Sequence, residues 1–195
     1  MIEIGIVPSI KETYKNQFEF SSDIKFNKFL NFIFKKSKIY NLGFKNNYKK
    51  SLDLIIFCGG NDLPVINRNK ANNLRFKLNN FIFKKAISNK IPILGICFGA
   101  QYLAYKFKSK FKKKKHIGEH MVNLNKKKIR IKVNSYHNVI INSLGKDLEV
   151  RGLADDKSIE FFSHNKKKII GIQWHPERYD KFKKIDKDII KSLCS

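Results

Sequence analysis

Three short segments carry residue types, at spacings, that suit nucleophilic attack on a carbonyl. In Gly95-Ile-Cys97-Phe-Gly99-Ala-Gln101 a cysteine sits between two glycines, where an apolar run gives way to a helix-forming one. Gly-x-nucleophile-x-Gly is the pattern of a strand-to-helix elbow, in which the glycines permit a tight turn and the nucleophile projects from its apex. A cysteine at a helix N-terminus meets a positive potential that favours thiolate over thiol. The backbone N–H of Phe98 is then placed to stabilise an oxyanion. Taken alone, the same residues also suit a buried structural cysteine between packing glycines.

A cysteine nucleophile needs a base, and the base an orienting group. Ile172-Gln173-Trp174-His175-Pro176-Glu177 offers both. Residues two apart in an extended segment face the same side, and Pro176 disfavours helix before it. Glu177 is therefore expected on one imidazole nitrogen of His175, with the other facing Cys97. A surface His-Pro turn with an ordinary glutamate is the plain alternative. The third segment, Phe57-Cys58-Gly59-Gly60-Asn61-Asp62, ends an apolar run in two glycines that let backbone amides approach a substrate, Gly60 supplying a second oxyanion donor. An ordinary β-turn would read the same way. Cys58, inside the apolar run, is expected in the core.

The elements that must hold these segments alternate. Near-continuous apolar runs over 2–7, 52–58 and 91–96 predict strands buried on both faces, and helical spacing predicts helices over 23–34, around Leu74 to Ile82 with an exit at Asn89, and over 99–107. Strand, helix, strand, helix in this order argues for parallel pairing, with ligands received at the carboxyl ends of the strands. Beyond Ile129 the pattern changes to short strands (Ile129 to Val133, Val139 to Ile141, 148–152, 159–162 and 169–173), closed by an amphipathic helix over 182–193. The expected fold is α/β: a three-layer sandwich with a central, mostly parallel sheet plus a smaller β-rich section, in a single domain over 1–195.

The chain has 195 residues, enough for a sizeable core, and a formal net charge of +25. Such a charge points first to nucleic acid, membrane or an anionic substrate. The basic residues are 36 Lys against 5 Arg, and Asn and Ile are also abundant, as codon bias alone would produce. Arginine is the residue that reads bases and phosphates bidentately. The lysines are scattered in short clusters, Lys112 to Lys115, Lys126 to Lys128 and Lys166 to Lys168, so nucleic acid is not the expected partner. Three cysteines make no disulfide framework, the N-terminus lacks the form of a signal peptide, and no run reaches the ~20 apolar residues of a membrane span; a cytoplasmic setting is expected. His116, His120, His137 and His164 show no metal-ligand spacing, so neither metal nor cofactor is expected. His120 and His137 are expected in the cleft or on backbone groups, and His164 at the surface.

Taken in order, Gly-Gly, Gly-Ile-Cys-Phe-Gly-Ala-Gln and Gly-Ile-Gln-Trp-His-Pro-Glu resemble the signatures of class I glutamine amidotransferase-like proteins over nearly the whole chain. The loop Cys58-Gly59-Gly60-Asn61-Asp62 is closer to that of γ-glutamyl hydrolases than to the Ser-Gly-Gly-Pro-like loop of synthetase partners. Gly118-Glu119-His120-Met-Val122, Val133-Asn134-Ser135-Tyr136-His137 and Ser158-Ile-Glu160 resemble segments of γ-glutamyl-GABA hydrolases in the same order. The chain is shorter than those proteins and has few residues after Glu177, so no fused synthetase is expected.

The resemblance implies Cys97 as nucleophile, His175 as general base and acid, and Glu177 as its orienting carboxylate. It further implies an oxyanion hole of the amides at Gly60 and Phe98, and Gln101 on the glutamyl group. Gly59, Asn61, His120, Ser135, Tyr136 and His137 complete the expected substrate contacts. The implied reaction releases L-glutamate from a small-molecule γ-glutamyl amide. The resemblance extends to a compact stand-alone hydrolase of this kind that removes glutamate from γ-glutamyl-CDP-amidate, a nucleotide conjugate, in capsule modification, and that substrate is the specific expectation. The alternatives are a glutaminase subunit feeding ammonia to a separate synthetase, and a non-catalytic basic nucleic-acid-binding protein. A nucleotide diphosphate would call for lysines beside Cys97, Lys112 to Lys115 first.

Overall fold

The computed structural model describes residues 1–44, 52–124 and 129–194, so the Lys126 to Lys128 cluster lies outside the described residues. The elements run β1 (Ile2–Val7), β2 (Ser9–Tyr14), β3 (Gln17–Ser21), α1 (Phe26–Ile33), β4 (Ser37–Asn41), β5 (Leu54–Phe57), α2 (Lys70–Ser88), β6 (Ile93–Ile96), α3 (Phe98–Lys106), β7 (Lys110–Leu124), β8 (Ile129–Ser143), β9 (Leu148–Ala154), β10 (Ile159–His164), β11 (Ile169–Ile172) and α4 (Lys184–Cys194).

The apolar runs behave as double-faced strands. Leu54 and Ile56, Leu94 and Ile96, and Ile170 and Ile172 pack into one core with Phe26, Phe29, Leu30 and Ile33 of α1 and Ile189, Ile190 and Leu193 of α4. The alternate residues Ile55 and Phe57, Ile93 and Ile169 pack into a second core with Leu78, Ile82 and Ala86 of α2 and Ala100, Leu103 and Ala104 of α3. Each fully buried aliphatic side chain contributes ~1.5–3 kcal/mol. In α1 the buried positions fall at helical spacing on one face. Asn69 caps α2, its side chain accepting from the Asn72 amide at 2.8 Å, and Asn89 ends it.

The sheet is a nine-stranded one in the order β4-β1-β5-β6-β11-β10-β8-β7-β9. It is mixed, not mostly parallel: β4, β1, β5, β6 and β11 pair in parallel, whereas every pairing from β10 to β9 is antiparallel. The β-rich second half thus continues the central sheet. The consequence for chemistry is adjacency. β5, β6 and β11 are neighbours, with Phe57 paired to Gly95 and Ile96 to Ile172, so the segments leaving their carboxyl ends emerge side by side.

Several elements differ from the expectation. The two short strands expected around Ile131 and Ile140 are one, β8, paired along most of its length with β7. The lysine-rich β7 and the β2–β3 hairpin carry exposed charges on both faces, so apolar alternation does not reveal them. Phe182, expected to open the last helix, precedes it and packs edge-on against Phe29 at 5.3 Å. Among the described residues no helix is long and apolar enough to cross a membrane.

Candidate active site

Cys97 joins β6 to α3 with φ 50 and ψ −107, a left-handed conformation that non-glycine residues rarely adopt. Its neighbours show why the elbow needs glycine two residues to either side. A Cβ on Gly99 would lie 1.9 Å from the Phe57 carbonyl oxygen, and one on Gly95 would lie 2.6 Å from the Gly99 carbonyl carbon. The helix therefore starts pressed against β5 and β6, with the Cys97 carbonyl accepting from Gln101 N at 3.0 Å. Phe98 opens α3, and its amide is among the first-turn N–H groups that have no helical partner.

His175 stands across from it. A Cβ on Gly59 would lie 3.3 Å from Cys97 Cβ, 2.6 Å from His175 Cε1 and 3.2 Å from His175 Nε2, so the cysteine and the Nε2 edge of the ring both close on the space that a side chain at Gly59 would fill. His175 Nδ1 meets Glu177 Oε1 at 2.7 Å, both side chains buried. The expected extended run through Pro176 is instead a single 3-10 turn over Pro176–Arg178, with His175 at φ −112 and ψ 84. That turn, not strand alternation, swings Glu177 back onto the ring. Burial opposes a charge on His175, but the Cys97 sulfur and the Glu177 carboxylate outweigh it and push its pKa up to about 10.

Asn134 holds the backbone of His175 from the other side. Its Oδ1 accepts from His175 N and its Nδ2 donates to His175 O, each at 2.9 Å. Its own amide donates to the Tyr179 hydroxyl at 3.2 Å. Spacing within the Val133–His137 segment carries no signal of this pairing, which exists only once β8 lies beside the loop after β11.

A cleft of about 310 Å³ holds Cys97, His175, Gly60, Gln101, Asn61, Tyr136 and His137 together, and a second cavity lies along Gly59 and Gly60. Within the cleft Gln101 Nε2 donates to the Val139 carbonyl at 3.1 Å. Asn61 is engaged as well, exchanging hydrogen bonds with the Ile10 backbone at 3.0 Å each. Tyr136 sets its ring edge-on to His175 at 5.5 Å, and the Arg178 guanidinium lies over the Tyr136 ring, 5.0 Å from its centroid. Among the described residues, Lys11 and Arg178 are the cations that line these two cavities. Lys112 to Lys115, expected there, lie exposed on β7, and Lys114 pairs with Asp156 at 2.5 Å.

Two expected contacts are directed elsewhere. Ser135 donates to the His116 carbonyl, and His120 turns toward the buried Glu160. His164 is buried, not at the surface: its ring lies against Phe107 at 4.8 Å and its Nδ1 accepts from Lys166 N at 3.0 Å. Cys58 lies in the core as expected, its carbonyl bound by the buried Arg75, and burial pushes its thiol up to about 12.

The glutamine amidotransferase class-I family model matches residues 32–190 of this chain. A γ-glutamyl-CDP-amidate hydrolase of Campylobacter jejuni is 40% identical over 132 residues, a stretch covering 67% of this chain and 65% of that relative's length. Two solved structures share the fold. One is a putative GMP synthase subunit from Thermoplasma acidophilum (TM-score 0.71, 20% identity, covering 100% of this chain and 92% of that one). The other is a glutamine amidotransferase from Thermotoga maritima (TM-score 0.69, 15% identity, covering 98% and 83%).

Proposed function

This chain belongs to the class-I glutamine amidotransferase family, and from that membership we propose that it hydrolyses a γ-glutamyl amide by a Cys97–His175–Glu177 triad, releasing L-glutamate. The observation that carries this reading is the pairing of Cys97, at a left-handed strand-to-helix turn, with a buried histidine whose Nδ1 is held by Glu177 at 2.7 Å. Glu177 leaves Nε2 to serve the sulfur, and the elevated pKa keeps the ring an imidazolium beside it at neutral pH. The sulfur attacks the γ-carbonyl carbon, and the developing oxyanion lies between the amides of Gly60 and Phe98. His175 gives its proton to the departing nitrogen as the C–N bond breaks, leaving a γ-glutamyl thioester. The neutral ring then takes a proton from water, which attacks the thioester, and glutamate leaves as the sulfur is restored. Gln101, Gly59, Asn61, Tyr136 and His137 form the walls on which the substrate rests.

The favoured substrate is γ-glutamyl-CDP-amidate, giving cytidine diphosphoramidate for capsular polysaccharide modification in the cytoplasm. Its support is the Campylobacter relative and the two cations, Lys11 and Arg178, at the cavities beside the reacting groups. The placement of α1 and α4 in one core and α2 and α3 in the other supports a three-layer arrangement, and we take residues 1–195 as one catalytic domain. Membership of the class-I glutamine amidotransferase family supports a second reading, a glutaminase that supplies ammonia to a separate synthetase. A panel of γ-glutamyl amides, with γ-glutamyl-CDP-amidate, γ-glutamyl-GABA and free glutamine compared by kcat/KM, separates them. The nucleotide conjugate is expected to lead. Glutamine as the best substrate would install the second reading, and hydrolysis of none of them would overturn both.

A further inference from the structure

Beside the cleft, at the seam between the β7–β8 ribbon and β10, Glu160 is wholly buried among three histidines. His116 Nδ1 lies 3.2 Å from its Oε1, His137 Nε2 lies 3.7 Å from the same oxygen, and His120 Nε2 lies 3.6 Å from Oε2. None of these contacts is aligned as a hydrogen bond. Both Glu160 oxygens, both His137 nitrogens, His116 Nδ1 and His120 Nε2 are buried without a hydrogen-bond partner. Buried polar atoms are nearly always satisfied, and this concentration of orphans points to something that satisfies them together.

We propose that His116, His137 and Glu160 form a binding site for a zinc-class divalent transition metal. One ligand atom from each lies within 4.8 Å of the others. A tetrahedral zinc with bonds of ~2.0–2.1 Å sets its ligand atoms roughly 3.3 Å apart, so the 3.2 and 3.7 Å edges are already near that size. Two imidazoles and one carboxylate are borderline donors suited to zinc; magnesium and calcium take oxygen ligands. The surroundings match a metal site too. A ligating histidine usually has its other ring nitrogen fixed by a carboxylate. His116 Nε2 faces Asp156 Oδ2 at 3.6 Å, and Asp156 is itself held by Ser158 Oγ at 2.6 Å, the Ser158 amide at 3.0 Å and Lys114 at 2.5 Å. His120 stacks on His116 with ring centroids 4.1 Å apart and faces the second carboxylate oxygen, which places it beside the ligand set.

The three ligands come from β7, β8 and β10. Among the described residues β8 and β10 pair directly only at Ile141 and Ile159, so a metal here would staple β10 to the ribbon where the ladder is thinnest. His137 also lines the cleft with Cys97, which makes the metal a brace for that wall.

The test uses the untagged full chain carrying Cys97→Ser, so that the cysteine–histidine pair does not compete for metal. After stripping with a chelator, Zn²⁺ is titrated against a chromophoric competitor, and Co²⁺ is added to separate protein to read tetrahedral absorption. One Zn²⁺ per chain is expected at low micromolar concentration, weakened ~100-fold or more by either Glu160→Gln or His116→Asn and less than ~10-fold by His120→Asn. If Glu160→Gln does not fold, His116→Asn, at a partly exposed position, decides alone. Absence of binding, or binding that survives the ligand substitutions, overturns the proposal. Amide hydrolysis by the Cys97 protein is a separate readout, so the two readings fail independently.

Discussion

Two buried histidine–carboxylate groupings lie close together in the fold, linked through the Gln173 amide, which donates to the Glu160 carbonyl at 2.8 Å. In one, His175 and Glu177 are near neighbours in the chain and meet at 2.7 Å. In the other, Glu160 gathers His116, His120 and His137 from strands far apart in sequence, at 3.2 to 3.7 Å. The first is a single short hydrogen bond with the other ring nitrogen left for chemistry. The second sets three imidazoles around one carboxylate and leaves both of its oxygens without a hydrogen-bond partner. A local turn makes a tight, directional pair, whereas a site assembled across strands leaves atoms whose partners the protein alone does not supply. Changes in the first grouping should therefore act on rate, and changes in the second on stability.

The largest expected effect is at the nucleophile. Cys97→Ala should lower kcat for γ-glutamyl amide hydrolysis by at least ~10⁴-fold. Its melting temperature should stay near that of the parent, because the side chain removed is small and faces the cleft. Undiminished turnover would remove the first grouping from catalysis altogether. Next comes Glu177→Gln. It keeps the shape but replaces an acceptor that fixes the His175 tautomer, so kcat should fall ~10³-fold with little change in KM. A loss confined to KM would mean that Glu177 binds substrate instead of orienting the histidine.

The same contrast explains which parts of the molecule are legible in its sequence. Cys97 stands out because both glycines that its turn requires lie within two residues of it: Gly95 clears Gly99 inside the elbow, and Gly99 clears Phe57 on the neighbouring strand, so a short spacing pattern records both needs. His175 and Glu177 are legible because they lie only two positions apart, even though the turn that joins them is 3-10 and not extended. Asn134 grips the same histidine through two hydrogen bonds and leaves no local trace, because its partner is on another element. The Glu160 cluster is hidden for the same reason. His116 faces His137 only through the β7–β8 register, which shifts between Lys113 and His116. In the parallel half β1, β5, β6 and β11 are legible from their buried apolar runs, while the half-exposed edge strand β4, like β7 with charges on both faces, carries no periodicity to read.

A third change probes the second grouping. Glu160→Gln in metal-stripped protein removes the buried negative charge that the three imidazoles share, and stability to urea should fall by ~3 kcal/mol. The kcat of the folded protein should stay within about tenfold of the parent. A collapse of kcat at unchanged stability would erase the distinction between the groupings.

The smallest effect concerns a carboxylate outside both. Asp186 on α4 accepts from Trp174 Nε1 at 2.9 Å, while its Oδ2 is buried without a partner. Burial, only partly offset by the Trp174 hydrogen bond, pushes its pKa up to about 6. An acid whose folded pKa is raised favours the folded state while protonated. The benefit is complete below the ordinary value near 3.8 and is lost as pH rises through about 6. Two pKa units correspond to about 3 kcal/mol withdrawn at neutral pH. Asn at this position retains the acceptor for Trp174 without the charge. Asp186→Asn should therefore gain about 1–2 kcal/mol at pH 8, the remainder going with the charge-assisted hydrogen bond, and gain nothing at pH 4. Urea denaturation at the two pH values measures the difference. An equal gain at both would place the strain in packing, and a loss at pH 8 would mean that Asp186 is held as an anion by its neighbours, more like Glu177 than like an isolated buried acid.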